Sequence, residues 1–299
     1  MAKPVIVGVD PLQPDAAPVR VGAAVARLTG APLIVAAGQL HDAISNAVSG
    51  GRTEHEAREE AEHVLASLSE GVDAERLVVA GFSGARALHE LAAERDAGLL
   101  VVGSSRRGRV GRLTPGTTAE RLLHGASCAV VVVPRGLAEG WELRSIGVGF
   151  VDLDEGRRAL AAAAALAGLA EGRLEAVTAI EPMFPSRGAA IAPYDAGTGS
   201  EAALEVAERS IRNALRSFGR DTLEGKVVGA EPVEALTALS ERVDLVVCGS
   251  RGYGPVQSVL MGSVSHGLMQ ESHAPVLVIP RGVEDAVQRL LPEGTTAAA

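Results

Sequence analysis

The stretch LVVGSS at residues 100–105 returns 146 positions later as VVCGSR at residues 246–251. The stretch VPRG at residues 133–136 returns at the same offset as IPRG at residues 279–282. A constant offset that holds over about thirty residues is typical of an internal repeat rather than of chance similarity. The chain is therefore expected to contain two copies of one folding unit.

A third pair of motifs, Gly116-Thr117 and Gly262-Ser263, shares this offset and strengthens the assignment of a repeat. The length of 299 residues also fits two units, because a domain takes roughly 150 residues. We predict domain 1 at residues 1–137 and domain 2 at residues 144–285, joined by a short linker.

Each copy alternates short apolar runs with helix-like segments. The apolar runs predict strands at residues 5–9, 33–37, 77–80, 99–102 and 129–133, and again at 146–150, 174–179, 226–228, 245–248 and 276–279. The segments between them predict helices at residues 17–29, 54–70, 85–95 and 118–124, and at 155–169, 201–218, 232–241 and 265–271. Continuous apolar runs are typical of parallel strands covered by helices on both faces. The predicted fold is two tandem, open, five-stranded parallel α/β sandwiches of Rossmann-like type.

Composition narrows the class of protein further. Hydrophobic residues make up 47% and charged residues 22% of the chain, which excludes wholesale disorder. Aromatic residues make up only 2%, so the core must be aliphatic. The formal net charge of −9 argues against an electrostatic nucleic-acid partner.

Two cysteines, Cys128 and Cys248, are too few for a disulfide scaffold and favour a reducing compartment. The start MAKPVIVGVDP lacks the pattern of a signal peptide, and the Ala-rich stretch 159–170 is too short to cross a bilayer. These features predict a cytoplasmic protein without a membrane partner.

The glycine-rich loop after the fourth strand of domain 2 is the most informative motif for function. Gly249 and Gly252 allow the backbone to turn and to approach a ligand closely. Gly262, Ser263 and Ser265 lie at the start of the next helix, where free N–H groups favour an anion. Taken separately, the glycines form a turn and a serine caps a helix. Their combination at the carboxyl end of a strand favours a polyphosphate ligand.

The spacing Gly249-x2-Gly252-x9-Gly262-Ser263 resembles the nucleotide-binding signature of universal stress proteins. The resemblance covers nearly the whole chain, as two consecutive domains of this family in the tandem arrangement common in actinobacteria. It implies an ATP-type ligand of the family's ATP-binding branch, and it leaves the participation of Mg²⁺ open.

The resemblance also assigns ligand contacts to residues of domain 2. The ribose and phosphates would contact Gly249, Arg251 and Gly252, the phosphate tail would contact Gly262, Ser263, Val264 and Ser265, and the adenine would lie near Ala179. The family pattern further implies an Asp at the end of the first strand, beside the adenosine.

Domain 2 departs from this pattern at its first strand. Val151 stands at the Asp position, and Asp152 follows one residue later. A slip of one residue turns a strand side chain to the opposite face, so Asp152 is expected to replace the missing Asp only if a bulge absorbs the extra residue.

Domain 1 departs at its glycine loop. It keeps Asp10, Gly103, Gly116 and Thr117, but Arg106 stands in place of the second glycine. The Arg106 side chain either obstructs a ligand or contacts its phosphates. Domain 2 is therefore the first choice for ATP, and the occupancy of domain 1 stays open.

The leading hypothesis is an ATP-binding module with a regulatory or stress-response role. The lysines Lys3 and Lys226 both lie outside the glycine motif, so a kinase-like or Schiff-base mechanism lacks its key residue. Two alternatives stay open, namely a slow ATPase and an interaction scaffold in which both nucleotide motifs are vestigial.

The final strand of each copy is apolar throughout and is expected at a sheet edge, where it must be paired or covered. The resemblance implies that this strand pairs two domains about a two-fold axis. An intramolecular pseudo-dimer is therefore expected, and the sequence leaves open whether two chains associate into a homodimer.

Overall fold

The computed structural model describes residues 1–40, 54–81, 83–104, 117–124, 126–181, 196–218, 223–250 and 262–295. Strands and helices alternate along both domains. In domain 1 they are β1 (Val5–Val9), α1 (Ala17–Thr29), β2 (Leu33–Leu40), α2 (Glu54–Leu68), β3 (Glu75–Gly81), α3 (Gly84–Glu94), β4 (Leu99–Gly103), α4 (Thr117–Leu123) and β5 (Ala129–Val133). In domain 2 they are β6 (Ser145–Gly149), α5 (Asp154–Leu169), β7 (Arg173–Ala179), α6 (Ala196–Arg216), β8 (Leu223–Val228), α7 (Pro232–Ser240), β9 (Leu245–Gly249), α8 (Ser263–Glu271) and β10 (Val276–Ile279).

All ten strands belong to one sheet, in the order β3-β2-β1-β4-β5-β10-β9-β6-β7-β8. The strands within each domain are parallel, and β5 pairs with β10 in antiparallel orientation. The predicted parallel α/β fold is thus confirmed. The two five-stranded sheets are continuous with each other, because the apolar edge strands β5 and β10 form backbone hydrogen bonds with each other. This pairing confirms the expected intramolecular pseudo-dimer.

Apolar side chains cover both faces of the sheet. One core layer lies under α1, α2, α5 and α6, and the other lies under α3, α4, α7 and α8. Each layer contains buried residues of both domains. The core is aliphatic as expected, and Phe150 is the one aromatic residue among the largest fully buried side chains of the described residues.

The segments that follow the last strand of each domain pack across the domain boundary. In the linker, the indole Nε1 of Trp141 donates to the carbonyl of Asp244 at 3.2 Å. In the C-terminal segment, Val287 and Leu290 are buried in the shared core, and the amide of Lys3 donates to the carbonyl of Arg289 at 2.9 Å. The domains are therefore joined by both segments as well as by the sheet.

Antiparallel pairing of β5 with β10 has a consequence for the sites. The strands of the two domains run in opposite directions, so their carboxyl ends open at opposite edges of the sheet.

Within the described residues, no helix is long and apolar enough to cross a membrane.

Candidate functional site

A cavity of about 970 Å³ lies at the carboxyl ends of the domain 2 strands. Its floor is formed by the ends of β6, β7 and β9, and the start of α8 and one face of α6 form its walls. Open α/β sheets bind their ligands at this edge. The cavity therefore occupies the place where the sequence predicts the nucleotide.

The start of α8 turns free backbone amides toward this cavity. Gly262 is the N-cap residue in an extended conformation (φ −72°, ψ 158°), and no side chain caps the helix. The intrahelical hydrogen bonds begin at His266, whose amide donates to the carbonyl of Gly262 at 3.0 Å. The amides of Ser263, Val264 and Ser265 precede it and have no intrahelical acceptor. All three residues line the cavity, so the positive end of the α8 dipole faces the cavity, an arrangement suited to an anion.

The two ends of the predicted glycine loop are held together by Ser265. Its buried hydroxyl donates to the carbonyls of Ser250 and Gly262, at 3.0 Å each, and the amide of Gly262 donates to the carbonyl of Ser250 at 2.7 Å. These bonds place Gly249 next to Gly262 at the cavity wall. The Ser265 hydroxyl thus shapes the loop, while its amide is available to a ligand.

Val151 and Asp152 both line the cavity, although an extended strand would turn them to opposite faces. Strand β6 ends at Gly149, and the amide of Leu153 donates to the carbonyl of Val151 at 2.7 Å. The chain therefore turns before strand alternation can apply, and no bulge within the strand is needed to bring Asp152 to the site.

The Asp152 carboxylate links two elements at the cavity mouth. Its Oδ1 accepts from Nε of Arg157 at 2.7 Å, and its Oδ2 accepts from the hydroxyl of Ser210 on α6 at 2.7 Å. The hydrogen bond from Arg157, followed by that from Ser210, holds the pKa of Asp152 below its ordinary value. Asp152 is therefore anionic near neutral pH and fixes α6 against the turn after β6.

The floor of the cavity near β7 and β9 is mostly apolar. Ala179 and Ile180 line it at the end of β7, and the hydroxyl of Thr178 is already bonded to the carbonyl of Phe150 at 3.0 Å. Cys248 is buried at the end of β9, and burial raises the pKa of its thiol to about 12. Cys248 is therefore a neutral wall residue and not a nucleophile.

Of the candidate residues of domain 1, the structure describes Asp10, Gly103 and Thr117. The Asp10 carboxylate follows β1 and accepts from the amide of Leu12 at 3.0 Å and from Nε2 of Gln13 at 2.9 Å. Gly103 ends β4, and Thr117 begins α4. Asp10 thus stabilises its own turn.

Four residues of interest, Arg106, Gly116, Arg251 and Gly252, lie outside the part of the chain that the structure describes. Among the described residues, no group of three or more His, Cys, Asp or Glu side chains could hold a metal ion.

One wall of the cavity carries no recognisable sequence motif. Helix α6 contributes Ala202, Ala203, Val206, Ala207 and Ser210 to the lining. The signal was present as small and apolar residues repeating at a spacing of four among charged ones, which is typical of one helix face. Nothing in that pattern shows whether the face covers a core or a cavity.

These features place the chain in the class of open-sheet α/β proteins, with a cavity at the carboxyl ends of the domain 2 strands. It belongs to the universal stress protein family, whose family model matches residues 1–134 and 142–280. The tandem assignment is thereby confirmed, whereas the domain limits 1–137 and 144–285 stay predictions.

Relatives from mycobacteria and an archaeal structure agree with this assignment. Universal stress protein MT2052 of Mycobacterium tuberculosis (strain CDC 1551 / Oshkosh) is 41% identical over 81 residues, so the match spans only 26% of that protein and 26% of this chain. Universal stress protein Rv2319c of Mycobacterium tuberculosis (strain ATCC 25618 / H37Rv) is 27% identical over 230 residues, 74% of this chain and 77% of that protein. The crystal structure of a universal stress protein from Archaeoglobus fulgidus DSM 4304 has the same fold, with a TM-score of 0.65 at 18% identity over 94% of this chain and 97% of that one.

Proposed function

We propose that domain 2 binds an adenine nucleotide, ATP, and that the protein acts as an ATP-binding regulatory or stress-response module in the cytoplasm. The observation that carries this proposal is the uncapped start of α8. Three backbone amides, those of Ser263, Val264 and Ser265, face a cavity large enough for a nucleotide. Main-chain amides at a helix start suit phosphate oxygens because they combine hydrogen bonds with the helix dipole.

The proposed orientation follows from the two ends of the cavity. The phosphates lie at α8, and the adenosine lies across the sheet toward Ala179 at the end of β7. Gly249 allows close approach of the backbone between these ends, and Arg251 and Gly252 follow it in the sequence.

Charge balance supports Mg²⁺ as a companion of the nucleotide. None of the described residues that line the cavity is lysine or arginine, and the lining includes Asp152 and Glu181. Backbone amides alone leave much of the charge of a triphosphate unbalanced. A cation bound to the phosphates, together with the predicted contact from Arg251, would reduce that repulsion.

We propose binding rather than rapid turnover. A hydrolase would need a carboxylate or imidazole free to activate water at the phosphate end. Asp152 already accepts hydrogen bonds from Arg157 and Ser210, and its pKa is held low, which makes it a weak base. A slow ATPase would reveal itself as phosphate release above that of a variant that cannot bind.

Isothermal titration calorimetry with ATP and Mg²⁺ tests the proposal. We expect the wild-type protein to bind ATP with a Kd below millimolar, and we expect Gly262→Asp to weaken binding at least about tenfold, because it places a carboxylate among the phosphate-binding amides. Gly140→Asp is the matched control, since Gly140 lies in the linker and a Cβ there meets no atom within 4 Å. An absence of heat and of binding at millimolar ATP would contradict the proposal.

A further inference from the structure

The cavity extends well beyond the helix start that is proposed to hold the phosphates. Strand order runs β9-β6-β7-β8, with α8 following β9 and α6 leading into β8. With about 4.8 Å between neighbouring strands, β8 lies about 14 Å from β9. The α6 wall reaches Asp152 after β6 through Ser210 and leads into β8, so it lies on the β6–β8 side of the cavity, whereas α8 begins on the β9 side.

The α6 wall is apolar. Ala202, Ala203, Val206 and Ala207 line the cavity, and Ser210 follows one turn later. Residues four apart lie above one another on a helix, so this face forms a continuous stripe. From residue 202 to residue 210 the stripe is about 12 Å long, at 1.5 Å per residue.

Two large apolar side chains of the described cavity lining are exposed. Val206 on α6 is 61% exposed and Leu153, which follows β6, is 39% exposed, and both line the cavity. The other large exposed hydrophobic side chains of the described residues are Met1 at the chain start and Leu12, which follows β1 as Leu153 follows β6. A single exposed apolar residue is ordinary, but two that line one cavity indicate a binding surface.

The size of the cavity points the same way. Small-molecule sites usually enclose about 300–1,000 Å³, and a volume of about 970 Å³ lies at the upper end of that range. The space therefore suits a ligand that is large for a small-molecule site, with an anionic group at one end and an apolar group at the other.

We propose that domain 2 selects an adenine nucleotide whose base carries an apolar substituent, such as an N6-alkyl or N6-aryl group, over unsubstituted ATP. This inference rests on the proposed nucleotide site, with the phosphates at α8 and the base toward β7. The substituent lies along the apolar stripe of α6 and contacts Val206 and Leu153.

A charged or strongly polar substituent on the base fits the α6 side of the cavity less well than an apolar one. Asp152 is anionic and already paired with Arg157 and Ser210, and the Glu181 carboxyl lines the same region. Both groups repel an added anion. An apolar substituent would gain contact area with this lining. It would not bury a polar group that lacks a hydrogen-bond partner.

The test compares ATP with N6-benzyl-ATP as probes of the full-length protein by isothermal titration calorimetry. We expect N6-benzyl-ATP to bind at least about tenfold more tightly than ATP. Val206→Asp should reduce this preference to less than about threefold, because it weakens the binding of N6-benzyl-ATP more than the binding of ATP. Because Val206 is mostly exposed, this substitution should not disturb folding.

Asn213→Asp is the matched control, because Asn213 is exposed on the same helix and the substitution adds the same charge. This variant should keep the full preference for N6-benzyl-ATP. Equal or weaker binding of N6-benzyl-ATP to a wild-type protein that binds ATP would overturn the inference, as would a preference that survives Val206→Asp. Failure of ATP itself to bind would instead refute the proposed nucleotide site.

Discussion

The Ser265 hydroxyl is the clearest case of one side chain shaping the candidate site. It is buried and joins the end of β9 to the start of α8 through two carbonyls, while its own amide stays open to the cavity. Its contribution to ligand binding is therefore indirect. It positions the amides that would contact phosphate.

Replacing this hydroxyl should affect both stability and binding. We expect Ser265→Ala to lower the free energy of unfolding by about 1–2 kcal/mol, because a buried hydrogen bond is lost. The Kd for ATP should rise about threefold to tenfold as the loop loosens. Urea denaturation and calorimetric titration measure the two effects. Ser263→Ala is the control, since Ser263 is exposed and should leave stability unchanged. Equal stability of both variants would contradict this role.

At the level of residues, the sequence located the start of α8 at Gly262 and Ser263, whose contacts with a ligand stay predictions, and it was wrong about the end of β6. The motif identified Gly262, Ser263, Val264 and Ser265 because each has a chemical reason to stand at a helix start. The expectation that Val151 and Asp152 face opposite ways assumed that the strand continues through them. The strand ends at Gly149 because the chain turns there, and sequence patterns locate such ends only to within a few residues.

At the scale of elements, an ion cluster ties together β7, β8 and the end of α7. The half-buried Glu175 carboxylate on β7 accepts from Arg242 at 3.1 and 2.7 Å and lies 3.1 Å from Nζ of Lys226 on β8. Hydrogen bonds from Arg242, followed by those from Lys226, hold the pKa of Glu175 below its ordinary value. The cluster lies near the start of β7, at the edge away from the cavity.

This cluster predicts a specific pH dependence. Because the pKa of Glu175 is lower in the folded protein, its stabilisation is complete above the ordinary Glu pKa of about 4.3 and is lost as pH falls through the folded value. We expect Glu175→Gln to lower the free energy of unfolding by about 1–3 kcal/mol at pH 7, with the difference from wild type shrinking below about pH 4. Urea denaturation across this pH range measures it. Glu224→Gln, at a more exposed carboxylate beside Lys226, is the control, and a difference that grows on acidification would contradict the argument.

Most helices and strands could be predicted from the sequence, whereas the contribution of α6 to the cavity could not. Apolar runs located the buried parallel strands, which leave a continuous signal, whereas for the mostly exposed β8 only residues 226–228 were predicted. The position of α6 over an open cavity depends on packing between β7, β8 and the turn after β6. The sequence shows the stripe from Ala202 to Ala207 as one helix face, but neither its place beside a cavity nor the bond between Asp152 and Ser210 can be deduced from local sequence patterns.

At the scale of the whole molecule, pairing of β5 with β10 makes one body from two repeats. The same pairing sends the two carboxyl edges in opposite directions, so the candidate sites of domains 1 and 2 cannot share one nucleotide. Arg289 strengthens this union, because its backbone bonds to Lys3 and its guanidinium lies 3.8 Å from Asp96 of domain 1. The edge strands that could pair two chains, β5 and β10, are already paired with each other within one chain. A homodimer would therefore need a different surface, and its formation stays a prediction.

The shared core predicts that both domains unfold together. Leu277 on β10 is 3% exposed, lies opposite Val131 of β5 and belongs to the layer that crosses both domains. We expect Leu277→Ala to lower the free energy of unfolding by about 2–5 kcal/mol while the transition stays single. Urea unfolding followed by far-UV circular dichroism should coincide with that followed by the fluorescence of Trp141, the one tryptophan, which lies in the linker. Leu12→Ala, at a side chain that is 62% exposed, should change stability little. Two separate transitions, with only one of them shifted by Leu277→Ala, would show that the domains fold independently and that the sheet pairing is weak.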